Sequence, residues 1–130
     1  DSLGSRGLGD VYKRQVLAGQ SSISQLSHDE VADLTMKCLK ENVPAELPGI
    51  AFLSGGQSDL DATANLDALN KKGGNPWKLT FSYGRALQQA ALKAWMGDKA
   101  NTQSAQDAFS HRAEMNKLAA LGQWDKRLEG

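Results

Sequence analysis

The sequence is poor in cysteine, has no excess of either charge and contains no long apolar run. Its single cysteine, Cys38, excludes an internal disulfide and any metal site built from several cysteines. The 15 basic side chains are matched by 15 acidic ones, which argues against a dedicated nucleic-acid-binding protein because such domains are usually clearly basic. No apolar run approaches the roughly 18 residues that a membrane helix needs, and no signal-peptide pattern is present. We therefore expect no nucleic-acid partner, no membrane partner and a reducing, cytoplasmic location.

Residues 1–15 differ in character from the rest of the chain. They are rich in Gly, Ser and Arg and have neither helical nor strand periodicity. Segments that resemble processing scars are set apart before a fold is inferred. We predict that residues 1–15 are a non-native leader, with an ordinary disordered tail as the alternative, and that residues 16–130 are the native part.

Two short apolar runs each end in small residues, and each is followed by a helical pattern. Residues 50–53 lead into Ser54-Gly55-Gly56, and residues 78–81 lead into Ser82-Tyr83-Gly84. A continuous apolar run such as residues 50–53 suits a strand buried on both faces, as in a parallel sheet. Small residues at a strand exit let backbone N–H groups approach a ligand closely, and a helix start adds unpaired donors and a positive dipole end. Two such exits side by side would form an anion pocket, for which phosphate is the natural occupant.

The first helix is predicted to begin at Ser27, whose spacing to Glu30 is that of a capping box. It ends near Asn42, because the residue before Pro44 disfavours helix. Its apolar stripe at helical spacing comprises Val31, Leu34, Thr35, Cys38 and Leu39.

Three more helices follow. One begins after Ser58, with Asp59 and Asp61 in its first turn, and ends at Lys71 and Lys72. The next spans about residues 84–95, and the last runs from residue 101 or 102 to about residue 122, with residues 123–130 as a frayed tail. The buried stripes are predicted to contain Ala62, Leu66 and Leu69, then Leu87, Ala91, Ala94 and Trp95, and finally Ala105, Phe109, Arg112, Ala113, Asn116 and Ala119. Strands that alternate with such helices indicate an α/β protein with parallel strands.

Two long blocks, FLSGGQSDLDATANLDALN and PWKLTFSYGRALQQAALKAW, closely resemble class I fructose-bisphosphate aldolases in order and spacing. The resemblance extends over about residues 19–122. It implies a partial (β/α)8 barrel, consisting of the last two parallel strands with their helices and a closing C-terminal helix. A complete barrel of this type needs about 250 residues, roughly twice the length of this chain.

The resemblance also implies a phosphate site, and barrels of this type often place one in the loops after the last two strands. The implied binding residues for the phosphate of the sugar substrate are Ser54, Gly55, Gly56, Ser82, Gly84 and Arg85. From the residues alone, Ser54-Gly55-Gly56 is equally explained as a plain tight turn, and Arg85 as a solvated side chain paired with a carboxylate. The guanidinium of Arg85 does offer a planar fork of donors suited to phosphate oxygens.

The activity implied for the full-length parent is reversible cleavage of fructose 1,6-bisphosphate to two triose phosphates, with no metal and no cofactor. The family forms a Schiff base on a lysine of the preceding strand, and the match begins just after that block. We therefore expect this chain to lack the lysine and to be inactive alone, and the parent to be a homo-oligomer. The alternatives are a non-catalytic module that binds phosphate or protein, and a related Schiff-base aldolase with another sugar phosphate.

The remaining chemically capable side chains have structural interpretations. We interpret Gln57 and Asp59 as helix-start residues, Cys38 as an inert core thiol, His28 and His111 as surface residues, and Tyr83, Trp77, Trp95 and Trp124 as packing residues. Neither histidine has a second ligand at metal-binding spacing.

Overall fold

The computed structural model describes residues 10–12, 26–54 and 57–130. In chain order its elements are β1 (Asp10–Tyr12), α1 (His28–Asn42), β2 (Gly49–Phe52), α2 (Asp59–Lys72), β3 (Lys78–Phe81), α3 (Arg85–Trp95), a short 3-10 helix (Lys99–Asn101), α4 (Thr102–Ala120) and a second 3-10 helix (Lys126–Glu129). Within these residues, no helix combines the length and the apolar character needed to cross a bilayer.

The starts of α1 and α2 agree with the sequence. The hydroxyl of Ser27 accepts from the N–H of Glu30, whose side chain accepts from the N–H of Ser27, which completes the capping box. At α2, the hydroxyl of Ser58 accepts from the N–H of Asp61 at 3.1 Å. Each cap satisfies a backbone donor that the helix itself cannot pair.

The strands form one parallel sheet in the order β1-β2-β3. The parallel pairing of β2 and β3 confirms the prediction made from the repeated strand and helix pattern. The strand β1 was not predicted, since it lies within residues 1–15, which we interpreted as a leader. Three residues are too short for a period-2 pattern, and it is pairing with β2 that makes them a strand. A non-native origin for residues 1–15 stays a prediction.

One face of the sheet carries the core. Ile50, Phe52 and Leu79 are buried and belong to a cluster with side chains of α1, α2 and α4. On the opposite face, Thr80 is exposed and Ala51 is only half-buried. The expectation that residues 50–53 are buried on both faces is therefore wrong for the described structure, because the helices contact one face of the sheet.

The helix α2 is the most deeply buried element. Its residues 62–69 are all buried, including Thr63, Asn65 and Asp67. The predicted stripe of Ala62, Leu66 and Leu69 is correct but too narrow. The middle of α2 is buried because α1, α3, α4 and β3 all contact this helix.

The apolar stripe of α1 is rotated from the predicted one. Its buried residues are Val31, Ala32, Thr35, Met36 and Leu39. Leu34 is 43% exposed and Cys38 is exposed, so the interpretation of Cys38 as a core thiol is wrong. Two aromatic side chains of other helices, Trp95 of α3 and Phe109 of α4, were also predicted to be buried. They are 44% and 40% exposed.

Residues 123–130 are not a frayed tail. Trp124 is buried against the core, and residues Lys126–Glu129 form a 3-10 helix. The fold of this segment depends on contacts with α2 and α4 that are distant in sequence, so no local pattern predicts it.

Candidate functional site

The two small-residue segments that follow β2 and β3 lie side by side. We call residues 54–57 the first corner and residues 82–84 the second corner. Phe52 and Phe81, the last residues of β2 and β3, are register partners. The N–H of Ser82 donates to the carbonyl oxygen of Phe52 at 2.7 Å, which extends the pairing into the corner itself. Ser54 follows β2 two residues later and is half-buried. Both strand exits therefore open at one edge of the sheet, as predicted. Gly55 and Gly56 lie outside the described residues.

Gln57, the last residue of the first corner, is attached to α2. The N–H of Gln57 donates to the carbonyl oxygen of Ser54 at 2.8 Å. The Asn65 amide then donates to Oε1 of Gln57 at 2.7 Å. Gln57 is thus more than a helix-start residue, because its side chain ties the corner to the middle of α2. The pair was missed from sequence, since a polar residue on a helix face gives no signal of its partner eight positions away.

The start of α2 is already satisfied and negatively charged. Ser58 caps the helix, and Asp59 and Asp61 lie in its first turn. The exposed side chain of His28 pairs with the carboxylate of Asp61, with Nε2 at 3.2 Å from Oδ1. Carboxylates at a helix start stabilise the helix and compete with an external anion for its dipole. Donors for an anion at the first corner must therefore come from the loop.

The second corner has the opposite character. Gly84 is the N-cap of α3, no side chain caps the helix, and no acidic residue lies in its first turn. A Cβ added at Gly84 would meet no atom within 4 Å, so the space beside it is open in the described structure. Uncapped first-turn amides in open space are the usual donors to a bound anion.

Arg85 is the first residue of α3 and is exposed. Among the residues that the structure describes, no carboxylate lies within ion-pair distance of its guanidinium. The alternative of an arginine paired with a nearby carboxylate therefore has no support in this part of the chain. Ser82 is exposed beside it. The phosphate-binding roles of Ser82, Gly84 and Arg85 remain predictions.

Tyr83 anchors the second corner to α2. The side chain is buried, its ring centroid lies 4.6 Å from that of Phe81, and its hydroxyl donates to the carbonyl oxygen of Ala62 at 2.9 Å. Burial raises the pKa of Tyr83 well above its ordinary value. The packing role predicted for Tyr83 is confirmed.

The two lysines in the last turn of α2 are paired. The ammonium of Lys71 lies 2.7 Å from Oδ2 of Asp67 and donates to the carbonyl oxygen of Trp124 at 2.7 Å. Lys72 pairs with Asp33 at 2.6 Å. These contacts favour a structural role for both lysines.

No group of three potential metal ligands occurs among the described histidine, cysteine, aspartate and glutamate residues. His28 and His111 are both exposed, in agreement with the sequence. The indoles of Trp77 and Trp124 are buried in the core cluster, whereas Trp95 is partly exposed.

Comparison with known proteins identifies the family. Residues 9–130 match the family described as glycolytic fructose-bisphosphate aldolase class I. Fructose-bisphosphate aldolase 2 of Caenorhabditis elegans is 54% identical over 110 residues, which are 84% of this chain and 30% of that relative. A cytoplasmic isozyme of fructose-bisphosphate aldolase from Cicer arietinum is 46% identical over 115 residues, 88% of this chain and 32% of that relative.

The structural comparison agrees. The chain resembles a fructose-bisphosphate aldolase from Plasmodium falciparum, solved in complex with TRAP and a small-molecule inhibitor, with a TM-score of 0.81 and 44% identity. The likeness covers 85% of this chain and 32% of that one. The chain thus spans about a third of the length of the proteins that it matches. On these findings the chain belongs to the class I fructose-bisphosphate aldolase family.

Proposed function

We propose that this chain is part of a cytoplasmic class I fructose-bisphosphate aldolase. The full-length protein would cleave fructose 1,6-bisphosphate reversibly into dihydroxyacetone phosphate and glyceraldehyde 3-phosphate. Membership of the family supports this activity, and the share of each relative that the chain spans supports its being one part of a longer enzyme. A homo-oligomeric parent is part of the same proposal and is tested by its mass in solution.

The chain would contribute the last strands and helices of a (β/α)8 barrel. The parallel sheet, with helices against one face and Thr80 exposed on the other, supports this placement. In such a barrel the open face would look into the interior, and active sites lie at the carboxyl ends of the strands. The two corners follow the carboxyl ends of β2 and β3.

The site residues proposed for the substrate phosphate are Ser54, Gly55, Gly56, Ser82, Gly84 and Arg85. The observation that carries the proposal is the uncapped start of α3 beside the exit of β2, with Arg85 unpaired among the residues that the structure describes. Backbone N–H groups would bind two or three phosphate oxygens, and the guanidinium would add a charge-assisted bidentate contact. No metal and no cofactor enters this binding.

A phosphate held at this edge would fix one end of the sugar. Such anchoring lowers the entropy cost of bringing the ketose carbonyl to a nucleophile elsewhere in the barrel. There a lysine amine would add to the carbonyl and expel water, and the iminium would accept the electron pair of the cleaved carbon–carbon bond. No lysine of this chain is assigned that role.

The phosphate site is tested by titrating the chain with inorganic phosphate and following backbone amide resonances. Arg85→Ala removes the proposed contact, and Lys93→Ala, an exposed change of the same charge on the same helix, is the matched control. Arg85→Ala is expected to bind phosphate about tenfold to a hundredfold more weakly, because it loses charge-assisted hydrogen bonds. Lys93→Ala is expected to bind phosphate as the unmutated chain does. Equal affinity for the two variants would overturn the site.

The catalytic part of the proposal is tested by trapping. The purified 130-residue chain, incubated with fructose 1,6-bisphosphate and borohydride, is expected to form no reduced adduct and to show no turnover. A substrate-sized mass on any lysine of this chain would refute the assignment. A panel of sugar phosphates given to the full-length protein distinguishes a fructose 1,6-bisphosphate aldolase from one with another substrate.

A further inference from the structure

A buried polar cluster joins α2, α4 and the segment of residues 124–129, which we call the closing segment. Its centre is Arg112 of α4, a side chain that is only 8% exposed. Two guanidinium nitrogens donate to the two carboxylate oxygens of Glu129, at 2.9 and 2.8 Å. The same carboxylate accepts from Nε1 of Trp124 at 2.8 Å, and His111 lies 3.4 Å away. A bidentate pair with a further donor is the geometry that a buried ion pair requires.

The cluster also reaches the first turns of α2. One guanidinium nitrogen of Arg112 donates to the hydroxyl of Thr63 at 3.1 Å. That hydroxyl lies 2.9 Å from the carbonyl oxygen of Asp59, whose carboxylate is 3.7 Å from Nε of Arg112. Asp59 follows the first corner by two residues. The closing segment is thus connected, through Arg112, to the end of that corner.

Residues 59–63 of α2 support both corners of the proposed phosphate site. The first corner runs directly into them through Ser58. The second corner is attached to them by the hydroxyl of Tyr83, which donates to the carbonyl oxygen of Ala62. The position of this part of α2 therefore contributes to the separation of the two corners, together with the hydrogen bond between Ser82 and Phe52, and Arg112 is a buried charge that contacts it.

We propose that Arg112 and Glu129 are positioning residues for the phosphate site. Their pair clamps residues 59–63 of α2 between the sheet and the closing segment, which keeps the two corners at the separation that one phosphate needs. The inference rests on the function proposed above. It adds that phosphate affinity at one end of the sheet depends on a side chain at position 129, whose partners all lie in α4 and the closing segment.

Three variants test the clamp. Glu129→Gln keeps the size of the side chain and removes its charge. Thr63→Val keeps the Arg112–Glu129 pair and removes the hydroxyl that contacts Arg112, the carbonyl oxygen of Asp59 and the side chain of Asn116. Arg127→Gln is the control, because Arg127 lies in the same segment, 89% exposed, and pairs only with Asp125 among the described residues. Circular dichroism at low temperature establishes that each variant is folded before comparison.

Two measurements are made on these folded proteins. Inorganic phosphate affinity is expected to fall about threefold to thirtyfold in Glu129→Gln and Thr63→Val, the range that coupled positions outside a site usually produce. Amide hydrogen exchange at residues 61–63 is expected to accelerate in both variants and to stay unchanged in Arg127→Gln. Glu129→Asp, which restores the charge, is expected to recover part of the affinity.

The outcomes separate this inference from the function on which it rests. If Arg85→Ala weakens phosphate binding while Glu129→Gln and Thr63→Val bind like the parent chain, the clamp is wrong and the site stands. Unchanged exchange at residues 61–63 in Glu129→Gln also overturns the clamp, whatever the affinity. If the unmutated 130-residue chain binds no phosphate, both proposals are wrong.

Discussion

The starts of α2 and α3 follow neighbouring parallel strands, yet their chemistry is opposite. The start of α2 has a serine cap and two carboxylates, Asp59 and Asp61. The start of α3 has Gly84, no side-chain cap and Arg85 as its first helical residue. Capping groups and carboxylates satisfy a helix start internally, whereas their absence leaves its donors for a ligand. The start of α2 is therefore stabilised within the fold, whereas the start of α3 leaves donors that the proposed phosphate would use.

Because the two helix starts differ in capping and charge, the two corners would have different roles in binding a phosphate. A phosphate beside α3 meets an unopposed guanidinium and uncapped amides. The same phosphate placed on the helix axis of α2 would face Asp59 and Asp61, and like charges at such distances repel. In the proposed site the first corner would therefore contribute through its loop, residues 54–57, and α2 would support both corners.

The largest expected effect comes from breaking the support under α2. Arg112→Leu leaves the largely buried carboxylate of Glu129, whose side chain is 16% exposed, without its main partner. Breaking a buried pair in this way destabilises a protein by about 3–5 kcal/mol. Urea unfolding monitored by tryptophan fluorescence measures it. A loss below about 1 kcal/mol would mean that the pair adds little and that the closing segment is held by apolar packing of Trp124.

The next largest effect is expected when an acidic residue, like those at the start of α2, is introduced at the start of α3. Gly84→Asp adds a capping carboxylate in a space where a Cβ meets no atom. We expect the helix to be slightly more stable and phosphate binding to weaken at least about tenfold, because a fixed negative charge faces the anion. Gly84→Asn, with the same shape and no charge, is the control, and equal binding by the two variants would contradict the comparison.

The converse change acts on α2 alone. Ser58→Ala removes the hydroxyl that accepts from the N–H of Asp61, and loss of such a cap costs about 1 kcal/mol of stability. Phosphate affinity of the folded protein is expected to stay unchanged. Thermal unfolding and the phosphate titration, run on the same sample, measure the two quantities. A large loss of affinity with little loss of stability would reverse the roles of the two starts.

The smallest effect is a pH dependence. Burial raises the pKa of Glu129, but hydrogen bonds from Arg112 and Trp124 outweigh it, so the net pKa is lowered. A carboxylate with a lowered pKa in the folded state contributes stability above its unfolded pKa, near 4.3. That stability is lost as the pH falls through the lower folded value. Unfolding free energy followed from pH 6 to about pH 3 should decline less steeply in Glu129→Gln, and parallel curves would exclude this role.

The local features of this fold were predictable from the sequence because neighbouring residues determine them. The caps at Ser27 and Ser58, the turn residues after each strand and the parallel pairing all follow from short patterns. The adjacency of the two corners followed in turn, since parallel strands place their carboxyl ends at one edge of a sheet.

The features that were missed depend on distant contacts. Burial of Trp124 and of the Arg112–Glu129 pair requires α2, α4 and the closing segment to meet, and no spacing in the sequence encodes that meeting. Cys38 was placed in the core because the predicted stripe included Leu34, and a small rotation of α1 puts Ala32 and Met36 inside instead. The strand β1 is too short to give a pattern of its own.

The proposed site requires that the two corners share one phosphate. An amide-resonance titration of the 130-residue chain with inorganic phosphate measures this sharing. Residues 54–57 and residues 84–86 are expected to shift together with a single dissociation constant, while residues 58–61 at the start of α2 stay in place. Shifts confined to one corner, or centred on Ser58 and Asp61, would contradict it.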